Sequence, residues 1–129
     1  MSGEPVLTVC VTCTASRSPA KRADLRDGAA LYSEVRRAAP AHLRLRPVRC
    51  MSACTRPCTV AMSGSDRFTL LFGGLDPLTA TDDILVCFDR YRATRDGFLR
   101  REERPSALQR GIIARIPPPA WFHAAGEVP

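Results

Sequence analysis

The sequence predicts a small α/β (α+β) domain of strand-helix-strand-strand-helix order, βαββα, followed by a Pro- and Arg-rich C-terminal extension. Three features predict it. Short apolar and β-branched runs read as strands, two segments with apolar residues at spacings of three and four read as helices, and Gly and Pro stand at the breaks between them. With 129 residues, 45% of them hydrophobic and 25% charged, the chain is long enough for one domain with a modest core.

Pro5-Val-Leu-Thr-Val9 predicts a first strand that ends at Cys10, and the loop after it, from Val11 to Arg22, holds Cys13. Between Asp24 and Ala39, the residues Leu25, Ala29, Tyr32, Val35 and Ala39 fall on one helical face, with Asp24 as N-cap and Pro40 closing the segment. Leu43, Leu45 and Val48 then predict a second strand that delivers Cys50 at its end. Pro47 makes it an edge or bent strand, because proline has no N–H to give a ladder. Cys50-Met-Ser-Ala-Cys-Thr-Arg-Pro-Cys58 is a compact loop. Thr59-Val-Ala-Met62 and Arg67-Phe-Thr-Leu-Leu-Phe72, joined by the polar turn Ser63-Gly-Ser-Asp66, read as a hairpin. Gly73-Gly-Leu-Asp-Pro77 interrupts the pattern, and Thr81-Asp-Asp opens a second helix with Ile84, Cys87, Phe88 and Tyr91 on one face. From Arg95 onward the chain is Arg- and Pro-rich, with Ile112, Ile113 and Ile116 just before Pro117-Pro-Pro119. This segment is expected to wrap the domain, so the chain divides into residues 1–94 and a C-terminal extension, 95–129. There are no internal repeats.

The net charge of +6 is carried by eighteen arginines and one lysine, Lys21. Nucleic-acid binding wants basic residues gathered on one face with aromatics between them, whereas here they are scattered and aromatics are only 6%. No nucleic-acid partner is expected. A basic surface does suit docking onto an acidic redox partner by electrostatic steering. No apolar run approaches the ~20 residues of a membrane span. The first ten residues lack the basic start and apolar stretch of a signal peptide. The expected location is therefore the cytoplasm, with no membrane partner. Six cysteines in that reducing compartment point away from structural disulfides and toward metal binding or redox chemistry.

Cys10-Val-Thr-Cys13 and Cys50-Met-Ser-Ala-Cys54 each sit where a predicted strand gives way to a loop, so both pairs are expected at one end of a sheet as four thiolate ligands. Spacings of two and three residues let the chain curl, presenting two sulfurs and aiming backbone N–H groups at the site. Zinc and an iron–sulfur cluster compete for such a set. Zinc sites usually come as two similar CxxC knuckles on a scaffold the metal itself folds, while here the second pair is CxxxC and the chain has its own core. Arg49 and Arg56 beside the second pair, and Arg17 and Arg22 after the first, could offset an anionic centre, although solvated loop arginines are the plainer reading of each. A single CxxC also occurs in thiol–disulfide oxidoreductases, with Pro57 placed to mimic their proline loop. That alternative leaves the second cysteine cluster unexplained.

Cys50-Met-Ser-Ala-Cys54, Pro57, Thr59-Val-Ala-Met62, Phe72-Gly-Gly74 and Leu75-Asp-Pro77 stand in the order found in thioredoxin-like [2Fe-2S] ferredoxins, and residues 5 to 94 resemble that family. The resemblance implies a thioredoxin-like βαββα sandwich over residues 1–94 and a [2Fe-2S] cluster held by Cys10, Cys13, Cys50 and Cys54. It further implies one-electron transfer with a redox partner protein, no enzymatic turnover, and a homodimer. The first pair in those ferredoxins is usually separated by more residues than the two seen here, which sets Cys13 apart from the other three. Over its whole length, with a CxxC start, a CxxxCxxxC middle and an Arg-Ile-Pro-Pro tail, the chain is also similar to a bacterial family of unknown function described as predicted metal-binding proteins. That likeness implies a link to cobalamin or cobalt metabolism.

Cys58 stands four residues after Cys54 and is an alternative fourth ligand to Cys13, or else a small apolar residue starting the hairpin. Cys87 is expected in the core, where a buried thiol behaves as a small hydrophobe. His42 and His123 lie outside the cysteine clusters and are expected at the surface. Asp82-Asp83, in the first turn of a helix, favour the positive end of its dipole and are assigned no catalysis. Gly73-Gly74 lacks the following Lys-Ser/Thr of a phosphate loop.

Overall fold

The computed structural model describes residues 4–12, 27–52 and 58–121. Five strands form one sheet in the order β2-β1-β3-β4-β5: β1 Val6–Cys10, β2 Leu45–Val48, β3 Val60–Ser63, β4 Thr69–Phe72 and β5 Ile112–Ile116. β1 and β2 are parallel, and every other neighbouring pair is antiparallel. Parallel neighbours need a crossover connection, and α1, Asp27–Ala38, supplies it. The second long helix, α2, spans Thr81–Ala93. A 3-10 turn at Arg101–Glu103 and the short α3, Ser106–Arg110, lead into β5.

Strand alternation decides what the sheet buries. Leu7 faces Met62 and Val9 faces Val60 across the β1–β3 ladder, and Val60 and Met62 face Phe72 and Leu70 across the next. All six side chains are fully buried, and they form one core with Leu31 and Val35 of α1 and Ile84, Phe88 and Tyr91 of α2. Burying an aliphatic or aromatic side chain of this size contributes roughly 1.5–3 kcal/mol. On α2 the buried set is Ile84, Cys87, Phe88 and Tyr91, the face that the spacing predicts. On α1 it is Gly28, Leu31 and Val35, with Tyr32 only packed against its edge; Leu25 and the Asp24 cap lie outside the described residues. The expected face on α1 is thus rotated toward Gly28 and Leu31, with Val35 common to both.

The extension beyond Arg95 contributes a strand of its own, which the sequence reading did not contain. β5 pairs with β4 from Thr69↔Ile116 to Phe72↔Ile112, with an irregularity between Leu71 and Phe72. An arginine and the flanking prolines disguise this strand in the sequence. Arg115 finds its own place by donating to Leu99 O at 3.2 Å and lying 4.1 Å over the Phe98 ring. Among the described residues, no helix is long and apolar enough to cross a membrane.

Candidate functional site

Cys10 is the last residue of β1, and its Cα partner is Val48, the last residue of β2. Because the two strands run parallel, both chains leave the sheet at the same end, and Cys50 lies just beyond that exit. β3 runs the other way and starts at this end. The Cys10 N–H donates to Thr59 O at 3.0 Å, which brings Cys58 in beside the same edge. The register therefore places Cys10, Cys50 and Cys58 at one end of the sheet. Cys13 and Cys54 lie outside the described residues, as do Arg17, Arg22, Arg56, Pro57 and His123.

The three placed cysteines have different surroundings. Cys10 is buried, and its thiol donates to Arg49 O at 3.6 Å and lies 3.8 Å from Thr12 Oγ1. The Thr12 hydroxyl donates to the same Arg49 carbonyl. One carbonyl therefore ties the loop after β1 to the residue preceding Cys50. Cys50 is exposed, and its Sγ accepts the Ser52 N–H at 3.2 Å. Ser52 reaches that position with φ 57°, in the left-handed region that non-glycine residues seldom occupy. Its Oγ stands 4.0 Å from the same sulfur. Cys58 is fully buried, and its backbone pairs reciprocally with Leu75, N to O at 3.3 Å in each direction. That pair fastens the loop after β4 to the start of β3.

Among the described residues, no three Cys, His, Asp or Glu side chains come together as a metal-holding group. Cys50 is exposed at this sheet end, while Cys10 and Cys58 are both buried at the margin of the hydrophobic core. The donor chemistry fits a thiolate-bound centre. Soft sulfur stands at two adjacent strand ends, one sulfur already carries a backbone N–H, and Cys13 and Cys54 follow after two and three intervening residues. Cys10 and Cys50 would hold the group together with the following cysteine of each pair. Thr12 and Ser52 escaped the sequence reading. The signal was present, since each hydroxyl residue stands two places after a cysteine, but only the folded loops show what the hydroxyls touch.

The remaining titratable groups have structural places. Cys87 is fully buried on α2, where burial pushes its thiol up to about 12 against the opposing pull of Arg104 and Arg90. His42 is exposed. Asp82 and Asp83 lie in the first turn of α2, and Asp83 accepts the Ala107 N–H at 3.4 Å, fixing the start of α3. An open cleft of about 610 Å³ lies beyond β4, lined among others by Leu75, Asp76, Asp83, Arg101 and Arg110. Its two carboxylates and two guanidiniums balance.

No curated protein matches the chain. Among solved structures, the chain is similar to a thioredoxin-like [2Fe-2S] ferredoxin from Aquifex aeolicus at 18% identity and a TM-score of 0.55, over 93% of this chain and 99% of that one. A second structure, of the wild-type thioredoxin-like [2Fe-2S] ferredoxin from the same organism, matches at 14% identity and a TM-score of 0.52, over 87% of this chain and 98% of that one. At these identities the likeness establishes a thioredoxin-like α/β fold. A family model described as "Protein of unknown function (DUF1636)" matches residues 7–118, from β1 through β5 and into the proline run, and the chain belongs to that family.

Proposed function

We propose that this protein is a one-electron carrier whose [2Fe-2S] cluster is held by Cys10, Cys13, Cys50 and Cys54 at the end of the sheet. The observation that carries the proposal is the parallel register of β1 and β2, which brings Cys10, and Cys50 two residues past its partner Val48, to one sheet end, with the Ser52 N–H directed at Cys50 Sγ. The fold shared with ferredoxins supports it. Such a cluster, when bound, accepts and returns a single electron.

The chain's own residues perform the rest of the task. Cys10, buried at the strand end, anchors one side of the site to the rigid sheet, while exposed Cys50 lies on the side a partner protein can approach. The Arg49 carbonyl, with the Thr12 hydroxyl on it, holds the two loops at a fixed separation. The Ser52 N–H directs partial positive charge at sulfur, which favours the form carrying the extra electron. No substrate bond is made or broken, so the role requires no catalytic residue. The partner is a redox protein, reached in the cytoplasm by a homodimeric carrier, and cobalt or cobalamin metabolism is the setting that the family likeness suggests.

Protein prepared without oxygen should be red-brown, contain equal amounts of iron and sulfide, and give an electron paramagnetic resonance signal on reduction. Colourless protein with zinc in place of iron would establish the alternative of a thiolate zinc site. Insulin reduction dependent on Cys10 and Cys13, in protein without metal, would establish the oxidoreductase alternative.

A further inference from the structure

Ser52 occupies a backbone conformation that glycine adopts without penalty and serine does not. A Cβ at such a position crowds the following carbonyl oxygen and is strained. The backbone hydrogen bond to Cys50 does not require this cost, because a glycine would present the same N–H. What serine adds is the hydroxyl, and its Oγ lies 4.0 Å from Cys50 Sγ, on the sulfur that already accepts the Ser52 N–H at 3.2 Å. We infer that Ser52 is a tuning residue that sets the reduction potential of the centre by supplying both a backbone N–H and a side-chain O–H to one ligand sulfur.

This inference rests on the proposed iron–sulfur function and concerns the regulation of that same site. A reduced cluster carries one more negative charge than an oxidised one, spread over its sulfurs, so a donor aimed at a sulfur stabilises the reduced form more than the oxidised form. The electron comes from one partner protein, which is oxidised, and passes to a second, which is reduced; no bond forms or breaks in the carrier. Only the difference in the strength of this contact between the two charge states moves the equilibrium, so losing the hydroxyl should change it by up to about tenfold. Tenfold corresponds to about 59 mV for a one-electron couple.

The test measures midpoint potentials of the full-length holoprotein and of Ser52→Gly and Ser52→Ala, with iron and sulfide counted on every sample. Both variants should keep a full cluster and shift the potential downward by a similar amount. Ser52→Gly should also raise the melting temperature of the protein, because it relieves the left-handed strain. A purely structural Ser52 predicts a different result: Ser52→Gly would keep the parent potential. Full clusters with unchanged potentials in both variants would overturn the tuning role and leave the electron-carrier reading standing. Iron-free wild-type protein would overturn both together.

Discussion

From within the core, Tyr91 of α2 donates a 2.6 Å hydrogen bond to the carbonyl oxygen of Phe68, just before β4 begins. The ring is fully buried, and Arg67 stands 5.7 Å above it while donating to Tyr91 O and Thr94 O at 2.9 Å each. Neighbours in the chain, Arg67 and Phe68, thus fasten both the side chain and the C-terminal end of one helix. Tyr91→Phe removes the donor and leaves Phe68 O without it. The expected loss is about 1–3 kcal/mol, measured by chemical denaturation.

Gly97 lies against the same pair. Its φ is +80°, and a Cβ there would stand 2.8 Å from Tyr91 Cε1 and 2.9 Å from Phe68 O. Because the second obstacle is backbone, it cannot rotate aside. Gly97→Ala should cost more than Tyr91→Phe, on the order of 3 kcal/mol from strain and overpacking together, and the two denaturation midpoints compared side by side decide the order.

Alkaline pH should weaken the fold. Burial, opposed by Arg104 and Arg90, raises Cys87 from 9.0 to about 12, and burial, opposed by Arg67, raises Tyr91 from 10.0 to about 12. Both groups are held in the neutral, protonated form in the folded state. Their contribution is therefore fully present below pH 9 and falls as the unfolded chain releases protons that the folded one keeps, from about 9 for Cys87 and about 10 for Tyr91, until pH reaches about 12. Unfolding measured from pH 8 to 11 on parent and Cys87→Ala should show a steeper decline in the parent. Parallel curves would contradict the assignment to Cys87.

Thr12→Val keeps the shape of the side chain and removes the hydroxyl that joins it to Arg49 O. Thr12 is exposed, so global stability should change by under about 0.5 kcal/mol. What should change is retention of the metal centre, since the two ligand loops lose their shared anchor. Release of iron to a chelator, followed by absorbance, should be several times faster in the variant.

Cys58→Ser separates the two candidates for the fourth ligand. Cys58 is fully buried, so the variant exchanges a buried thiol for a more strongly hydrated hydroxyl and should lose about 1–3 kcal/mol while keeping its iron. Cys13→Ser should show the converse, with little change in the stability of the metal-free protein and loss of the cluster. Iron retained in Cys13→Ser and lost in Cys58→Ser would reverse the assignment.

Much of this was legible in the chain. Alternation and helical spacing placed the first four strands and the buried face of α2, because Ile84, Cys87, Phe88 and Tyr91 share one face of an α-helix. The ends of the apolar runs placed Cys10 at the end of β1 and Cys50 close beyond β2, which stops at Val48. Three things needed the folded molecule. Ile112–Ile116 is a strand only because β4 offers an edge, and Arg115 is tolerated there only because Leu99 O and Phe98 receive its guanidinium. The buried face of α1 turned to Leu31, a choice made by the sheet beneath it. Thr12 and Ser52 became part of the site through Arg49 O and Cys50 Sγ. Local pattern is determined by each residue's own preferences over a few neighbours, whereas edge pairing, helix rotation and loop-to-loop hydrogen bonds depend on groups that only the tertiary fold brings together.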